Sequence, residues 1–541
     1  MSNTPSNNNA YDEVPYDSMP FAQSSPEHIS AVGHLFGLTP VAPERARVLE
    51  IGCSSGGNLL GLAQRYPQME LHGFDLSAKQ IAIGQADAQA LGLTNVQFRQ
   101  ADILNVATER QQYDYIIAHG IYSWVPPAVQ QAILEICQHQ LSPDGIAYIS
   151  YNVYPGWKMR EVVRDLMLFH TGNIKDPKFK LEQARAILEY AKDVNNKESP
   201  YGRLLASEAE VVKKAPDYYL FHDHLERFNS PCYFKDFAGK AAQQQLSYLG
   251  EANFSDMSAV RLGKELADKL QLLSNGNLIA YEQYMDLFTN RMFRQTLLVP
   301  QTASSRIQRN ITPARLGNKL HYSAQLKPIP PKAGTPESPA LEAGVQASPD
   351  NASEQGLAQY ALVNGRVITV HHLAVKGVMD LLASRYPFTC TLDELAAASQ
   401  VQDAPALPNG LDVLQSNLMN LLAQGALKIS ACAMDMVALA DKPHGFEPAR
   451  VAQARGQKLL PNSLHQVSQA DPIEAYCLKF MDGTRTQAEI QALIVEEMFK
   501  GNLSVKNAGE PITDRSILEQ LAAQQVPLAM RQLQRKSLLQ P

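Results

Sequence analysis

Short apolar runs alternate with helical patterns from residue 47 onward. Arg47-Val-Leu-Glu-Ile51, Glu70-Leu-His-Gly-Phe74, Val96-Gln-Phe-Arg99, Tyr113-Asp-Tyr-Ile-Ile-Ala118 and Ile146-Ala-Tyr-Ile-Ser150 each have the length of a strand. Between them lie helical patterns over 58–66, 78–91 and 127–140. Strands and helices alternating at these lengths predict parallel pairing through right-handed crossovers. The first part of the chain therefore reads as an open, doubly wound α/β sheet of the Rossmann-like class. Past Trp157 the pattern stays helical for a long stretch, until Leu246-Ser-Tyr-Leu-Gly-Glu-Ala252 and Gln295-Thr-Leu-Leu-Val299 again read as strands. These two are expected to finish the sheet as an antiparallel pair, with the helices of 157–240 and 255–290 as insertions covering the active-site mouth.

Residues 327–355 are rich in Pro, Ala, Ser and Gly without apolar periodicity, the composition of a linker or surface loop. Beyond them a helix over 370–384, a capped short helix at Thr391-Leu-Asp-Glu-Leu395, a helix over 411–424 and a wing strand over 426–430 form one winged-helix-like order. Residues 472–480, the capping box Thr486-Gln-Ala-Glu489 and a helix around 528–533 repeat it. His371 and His372 open a helix and are expected at its cap or surface. The predicted layout is a tail and lid over 1–30, a core over 31–160 and a helical region completing the sheet over 161–300. A connecting segment over 301–355 and a mainly helical, winged-helix-like domain over 356–541 follow.

Composition narrows the function classes. The 541 residues are 45% hydrophobic and 19% charged, with a formal net charge of -6, ordinary values for a globular chain of several domains. Residues 356–541 carry no basic excess, so the winged-helix pattern is read as structural or protein-binding, without a nucleic-acid partner. The polar start, Met1 to Ala10, lacks the charge and apolar core of a signal peptide. No apolar stretch reaches the roughly 18 residues of a membrane span. The six cysteines are scattered without a CxxC pair, which fits reduced thiols in the cytoplasm.

The chemistry gathers at the ends of the strands. Val48-Leu-Glu-Ile-Gly-Cys-Ser-Ser-Gly-Gly-Asn58 is an apolar strand ending in an acid, then a glycine-rich turn at the carboxyl edge. A dinucleotide fold would want G-x-G-x-x-G and a pyrophosphate on the helix N-terminus. The E-x-G-x-x-x-G spacing suits a sulfonium cofactor without phosphates, S-adenosylmethionine. On this reading Gly52 and Gly56 clear space for the cofactor's amino-acid portion, beside Cys53 and Asn58, and Glu50 takes its ammonium group. Asp75, followed by Leu76, accepts the ribose hydroxyls. Asp102 takes the adenine amino hydrogens while Ile103 packs on the ring. His119-Gly120 stands beside the methyl-bearing sulfur.

Trp124 and Trp157, the two tryptophans of the chain, fall on loops at the same edge. They read as a narrow aromatic sleeve for an amine, which favours a cation and excludes water, or as packing for the helical region. Methyl transfer to nitrogen needs alignment and a neutral amine rather than a strong base. Tyr122, Tyr154 and Asn152 are candidates to orient the nitrogen beside Trp124. The segment 11–21 is dense in aromatic and acidic residues. It reads as a lid whose Asp12 and Tyr16 meet the substrate, or as a turn-rich lead-in. His222-Asp-His224 resembles a metal-ligand pair, but no third ligand stands at suitable spacing. The helical reading of 218–228 therefore assigns it a structural role, and no metal is expected.

Several strings resemble one bacterial family. Tyr11-Asp-Glu-Val-Pro-Tyr16, Leu49-Glu-Ile-Gly-Cys53, Tyr115-Ile-Ile-Ala-His-Gly120, Tyr122-Ser-Trp-Val-Pro126, Ser150-Tyr-Asn152 and Tyr154-Pro-Gly-Trp157 are similar to methyltransferases with a regulatory domain, which include rickettsial lysine methyltransferases of outer membrane proteins. Tyr219-Leu-Phe-His222, Tyr248-Leu-Gly-Glu-Ala252 and Arg294-Gln-Thr-Leu-Leu298 resemble the regulatory part. Leu421 to Leu427 and Asp482-Gly-Thr-Arg485 resemble the C-terminal domain. The resemblance implies N-methylation of protein lysines. Ser54 departs from the family pattern, which has glycine there, and is accommodated if its φ stays negative. Two other readings stand beside it. One is a small-molecule N- or O-methyltransferase whose C-terminal block mediates oligomerisation, for instance as a homodimer. The other is a cofactor-binding regulatory or scaffold protein.

Overall fold

A computed structural model describes residues 18–226, 228–330, 341–342, 358–400, 410–507 and 510–541. The anticipated strands form, as β1 (Arg47–Ile51), β2 (Glu70–Asp75), β3 (Val96–Gln100), β4 (Tyr113–Ala118) and β5 (Leu141–Asn152). With β6 (Leu246–Glu251) and β7 (Phe293–Pro300) they make one seven-stranded sheet, ordered β3-β2-β1-β4-β5-β7-β6. β1 to β5 pair in parallel, and β7 runs antiparallel to both β5 and β6. The sheet is thus mixed, with the expected antiparallel pair at one edge.

The sheet forms because its central strands bury both faces. Every residue of β4 is buried, and its side chains alternate between two cores. Tyr115 and Ile117 join Val48, Leu71 and Tyr148 on one face. Ile116 and Ala118 join Leu49, Ile51 and Ile149 on the other, under the helix Pro127–Gln140. β5 begins at Leu141 rather than Ile146, so the strand follows that helix without a loop.

The helices Gly156–Thr171, Pro177–Val194 and Pro200–Lys214 pack around Met167, Leu188 and Leu205 as a separate cap. The helix expected over 218–228 is shorter. Its first turn, Asp217–Tyr219, passes into a single π turn, Leu220–His224, and the chain then leaves helical geometry. The cap is followed by the helices Lys264–Ser274 and Leu278–Thr289, which return the chain to β7. Arg294 of β7 is wholly buried and holds them to the sheet. Its guanidinium donates to Glu251 (2.6 Å), Glu282 (3.0 Å) and Asp286 (2.8 Å).

The Pro/Ala-rich segment is not linker throughout. Its first residues form β9 (Lys327–Ile329), just after β8 (His321–Ser323). β9 pairs with β11 (Ala358–Ala361), which pairs with β12 (Val367–Val370), and β10 (Leu341–Glu342) lies along β12. The strand expected over 426–430 forms as β13 (Lys428–Ser430) and pairs with β8, from before the segment. Tyr322, Tyr360, Leu382 and Leu418 continue the core of the sheet's first face. Residues 331–340 and 343–357 lie outside the described residues.

The C-terminal unit has its own core around Phe446, Leu478, Ile494 and Met530. Its helices Pro472–Phe480 and Gln487–Phe499 stand where the pattern placed them, and Thr486 and Glu489 close the capping box. Thr391 and Glu394 close the earlier one, and His372 caps the helix Leu373–Arg385. A hairpin of β14 (Leu459–Pro461) and β15 (Val467–Gln469) lies between the helices Glu447–Ala454 and Pro472–Phe480. Among the described residues no helix is long and apolar enough to cross a membrane.

Candidate functional site

The carboxyl ends of β1 to β5 open into a cavity of about 610 Å³. Glu50, Gly52, Cys53, Asn58, Asp75, Leu76, Asp102, Ile103, His119 and Gly120 all line it, as do Trp124, Asn152 and Trp157. Four successive strand ends thus contribute to one wall, because parallel strands present all their carboxyl termini on the same side.

The turn after β1 sets the floor. Gly52 sits at φ +69°, where a Cβ would strike the Ile121 side chain at 2.2 Å. Gly56, at φ +78°, gives way to the Phe98 ring, which a Cβ would meet at 2.2 Å. Gly56 is therefore not part of the wall: its space is taken by the core and not by a ligand. Ser54 has a φ of +50°, against the negative value expected of a residue replacing glycine. Its N–H donates to Asp75 Oδ2 at 3.0 Å, and this bond holds the turn against the end of β2.

Glu50 is buried at the end of β1. Its Oε1 accepts from the Asn58 amide at 2.9 Å, and its Oε2 has no hydrogen-bond partner among the described residues. Burial pushes its carboxyl up to about 8, against the Asn58 bond that pulls it down, and nearby Asp75 adds to the rise. A buried carboxyl oxygen left unpaired on a cavity wall costs free energy that a cationic ligand would recover. An ammonium group fits that description.

Asp75 accepts the N–H groups of Ser54 and Ser77 (2.9 Å), and Asp102 caps the short helix Ile103–Val106 through Leu104 N–H at 2.9 Å. Both carboxylates face the cavity, with Phe74 and Leu76 beside Asp75 and Ile103 and Leu104 beside Asp102. That is a polar strip flanked by apolar walls, the surface a nucleoside requires. His119 is half-buried, and desolvation pulls its imidazole down to about 4, so it is neutral beside the cavity. Its Nδ1 lies 3.0 Å from the Tyr148 hydroxyl and 3.2 Å from Ser150 Oγ, which also accepts Gly120 N–H at 2.8 Å.

The segment expected as a lid does cross the site at its end. Ser18, Met19 and Phe21 line the cavity. Ser18 Oγ accepts Gly57 N–H at 2.8 Å, Phe21 N–H donates to Asn58 Oδ1 at 2.9 Å, and the Phe21 ring lies 3.9 Å from that of His119. Asp12 and Tyr16 lie outside the described residues.

The far end of the cavity is aromatic. Trp124 and Trp157 meet edge to face, with centroids 5.9 Å apart. Arg160 lies over Trp157 at 5.4 Å, reaches the Tyr219 hydroxyl at 3.3 Å and pairs with Glu208 at 3.4 Å. Tyr219, at the end of the helical turn, and His222 and Asp223, carried by the π turn, complete this end. The sequence reading gave His222 and Asp223 a structural role, because a period of 3.6 hides which residues a π turn turns inward. The Asp223 carboxyl is pushed up to about 7 by burial, against the pull of Arg160 and Arg164. Among the described residues no group of three His, Cys, Asp or Glu is placed to hold a metal ion.

Two candidates stand elsewhere. Tyr122 is buried among Tyr151 and Phe237 beneath the loop, away from the cavity wall. Tyr154 donates to Glu161 at 2.7 Å and packs on Tyr233. Asn152 does reach the wall, held by its amide nitrogen donating to Asn229 Oδ1 at 3.1 Å and by its own N–H donating to Ser123 Oγ at 2.8 Å.

Known proteins match along most of the chain. Residues 48–145 match a methyltransferase domain, 216–300 the predicted methyltransferase regulatory domain, and 441–538 the PKMT C-terminal winged helix domain. An uncharacterised protein of Rickettsia prowazekii is 32% identical over 524 residues, spanning 95% of this chain and 90% of its own length. A second from that organism is 38% identical over 241 residues, spanning 44% of this chain and 96% of its own length. The solved structure of PKMT2 from Rickettsia typhi in complex with AdoHcy superposes with a TM-score of 0.84 at 30% identity, over 97% of this chain and 100% of that one.

Proposed function

The chain belongs to the bacterial family of S-adenosylmethionine-dependent methyltransferases with a regulatory domain and a C-terminal winged helix, and we propose that its methyl acceptor is the lysine side chain of a protein. The observation that carries this reading is the far end of the cavity, which the crossed indoles of Trp124 and Trp157 line together with the half-buried carboxyl of Asp223. An alkyl chain ending in an ammonium group suits such a sleeve: apolar walls for the methylenes, aromatic faces for the cation, a carboxyl at the tip. The similarity to PKMT2 from Rickettsia typhi, solved with AdoHcy, supports it too.

In this proposal Glu50 takes the cofactor's ammonium, Asp75 its ribose hydroxyls, and Asp102 with Ile103 its adenine. S-adenosylmethionine supplies a methyl group already activated on a sulfonium sulfur. The protein's own work is alignment and removal of a proton from the incoming amine. Neutral His119 at the rim adds no positive charge beside a sulfonium. Asp223, with a proton affinity near neutrality, takes up the ammonium's proton, and the aromatic walls keep water from competing for the methyl group. Asn152 is placed to orient the nitrogen.

The test is to incubate the pure protein with methyl-labelled S-adenosylmethionine and a bacterial lysate. Label in acid-precipitable protein, mapped to lysine by mass spectrometry, is the expected result. Label confined to the small-molecule fraction would overturn the lysine reading in favour of a metabolite acceptor.

A further inference from the structure

The tip of the β14–β15 hairpin reaches the floor of the cofactor cavity. His465, in the turn between the two strands, is 4% exposed and has its Nε2 2.8 Å from Asn58 Oδ1. Asn58 stands on the helix Gly57–Arg65, and its amide nitrogen is the group that donates to Glu50. A chain of two hydrogen bonds therefore runs from the C-terminal domain to the carboxyl proposed to hold the cofactor's ammonium.

The direction of each bond is fixed. Phe21 N–H donates to Asn58 Oδ1 and can only donate, so that atom is the oxygen and the other the nitrogen. The His465 nitrogen facing the same oxygen must then carry a hydrogen. With burial pulling this imidazole down to about 4, the ring is neutral and held as the Nε2–H tautomer. Asn58 Nδ2 is left pointing at Glu50 Oε1, and Glu50 Oε2 has no partner among the described residues. If the amide turned over, two oxygens would face each other at Glu50.

The docking is built around that contact. His465 occupies φ +56°, a region a histidine adopts only when its surroundings hold it there. Arg65 donates to Ser463 O at 2.9 Å and to Ala433 O at 2.8 Å, and the Phe446 ring lies 3.8 Å from where a Cβ on Gly61 would stand. Arg455 pairs with Asp87 of the helix Ala78–Ala90.

We propose that His465 is a positioning residue of the cofactor site: by fixing the Asn58 amide it holds the Glu50 carboxyl with one oxygen bonded and the other presented to the cofactor's ammonium. The C-terminal domain is then a working part of the cofactor pocket. The inference rests on the assignment of Glu50 made above.

Calorimetric titration of the full-length chain with AdoHcy tests it. His465→Ala is expected to weaken binding about tenfold, a difference of 1.4 kcal/mol, and to raise KM for S-adenosylmethionine while kcat stays within about twofold. His465→Gln, which keeps an N–H donor, is expected to recover most of the affinity. In a Glu50→Gln background His465→Ala should add less than about twofold, because the route ends at Glu50. Because coupling is reciprocal, saturating AdoHcy should also slow amide exchange over 459–469 in the unsubstituted protein, a readout that needs no variant to fold. An undiminished loss in the Glu50→Gln background, or unchanged exchange over 459–469, would overturn the inference. Should Glu50→Gln itself leave AdoHcy affinity intact, it is the Glu50 assignment that fails.

Discussion

Ser54 donates its backbone N–H to the Asp75 carboxylate at 3.0 Å, joining the turn after β1 to the end of β2 across the cavity floor. The bond carries a backbone at φ +50° that a serine adopts at a cost. Ser54→Gly should therefore leave AdoHcy affinity unchanged and raise stability by up to about 1 kcal/mol, read by thermal melting. Asp75→Ala removes the partner of both Ser54 and Ser77 and should weaken AdoHcy binding at least about tenfold. A variant with unchanged calorimetric affinity would refute the role of Asp75.

Binding should depend on pH through Glu50. Its carboxyl, raised by burial to about 8, is protonated at neutral pH in the unliganded protein and must lose that proton to receive an ammonium. Affinity for AdoHcy is expected to rise by nearly tenfold per pH unit from about pH 5 to 7, with close to one proton released, and to level off above about pH 8. Calorimetry in buffers of different ionisation enthalpy measures both, and Glu50→Gln should abolish both. A flat profile in the unsubstituted protein would count against the assignment.

The same group makes a stability prediction of opposite slope. The folded protein binds its proton more tightly than the unfolded chain, whose value is near 4.5. Stability from Glu50 is complete below that value and is lost as pH rises toward 8. Glu50→Gln should melt higher than the unsubstituted protein at pH 8.5 and no higher at pH 4.5, both without ligand.

Arg294 is the cation for three buried acids, and its guanidinium also lies 3.9 Å from the centre of the Phe234 ring. Arg294→Met would leave Glu251, Glu282 and Asp286 without it and should cost about 3–5 kcal/mol in urea unfolding. Arg294→Lys should recover little of this, since one ammonium cannot match the planar fork. A loss below about 1 kcal/mol would show that Arg291, 3.2 Å from Asp286, suffices.

Asp223→Asn separates the two ends of the cavity. It should leave AdoHcy affinity within about twofold while cutting kcat/KM for the methyl acceptor at least about tenfold. Activity in the unsubstituted protein should rise through about pH 7 as Asp223 ionises, and the variant should lack that limb. Equal losses at both ends would argue that the π turn collapses and that Asp223 acts through the fold.

How much was legible follows from the range of the forces concerned. The runs of β1 to β4, the acids and the histidine at their ends and the capping boxes at Thr391 and Thr486 could be read from sequence. They depend on strand period, turn chemistry and cap geometry, which a few neighbouring residues settle. That Glu50, Asp75, Asp102 and His119 share one wall also follows, because parallel pairing sends every strand end to the same edge. Tertiary packing alone decided the rest. Ser54 takes a left-handed backbone because a carboxylate from the next strand accepts its N–H, and Tyr122 turns from the cavity into a core of Tyr151 and Phe237. The π turn brings His222 and Asp223 to the tryptophans, and β9 leaves the supposed linker to complete a distant sheet. His465 meets Asn58 across 407 positions of chain. No local pattern encodes a contact of that separation, since it forms when two folded surfaces dock and bring a ring nitrogen to a buried oxygen.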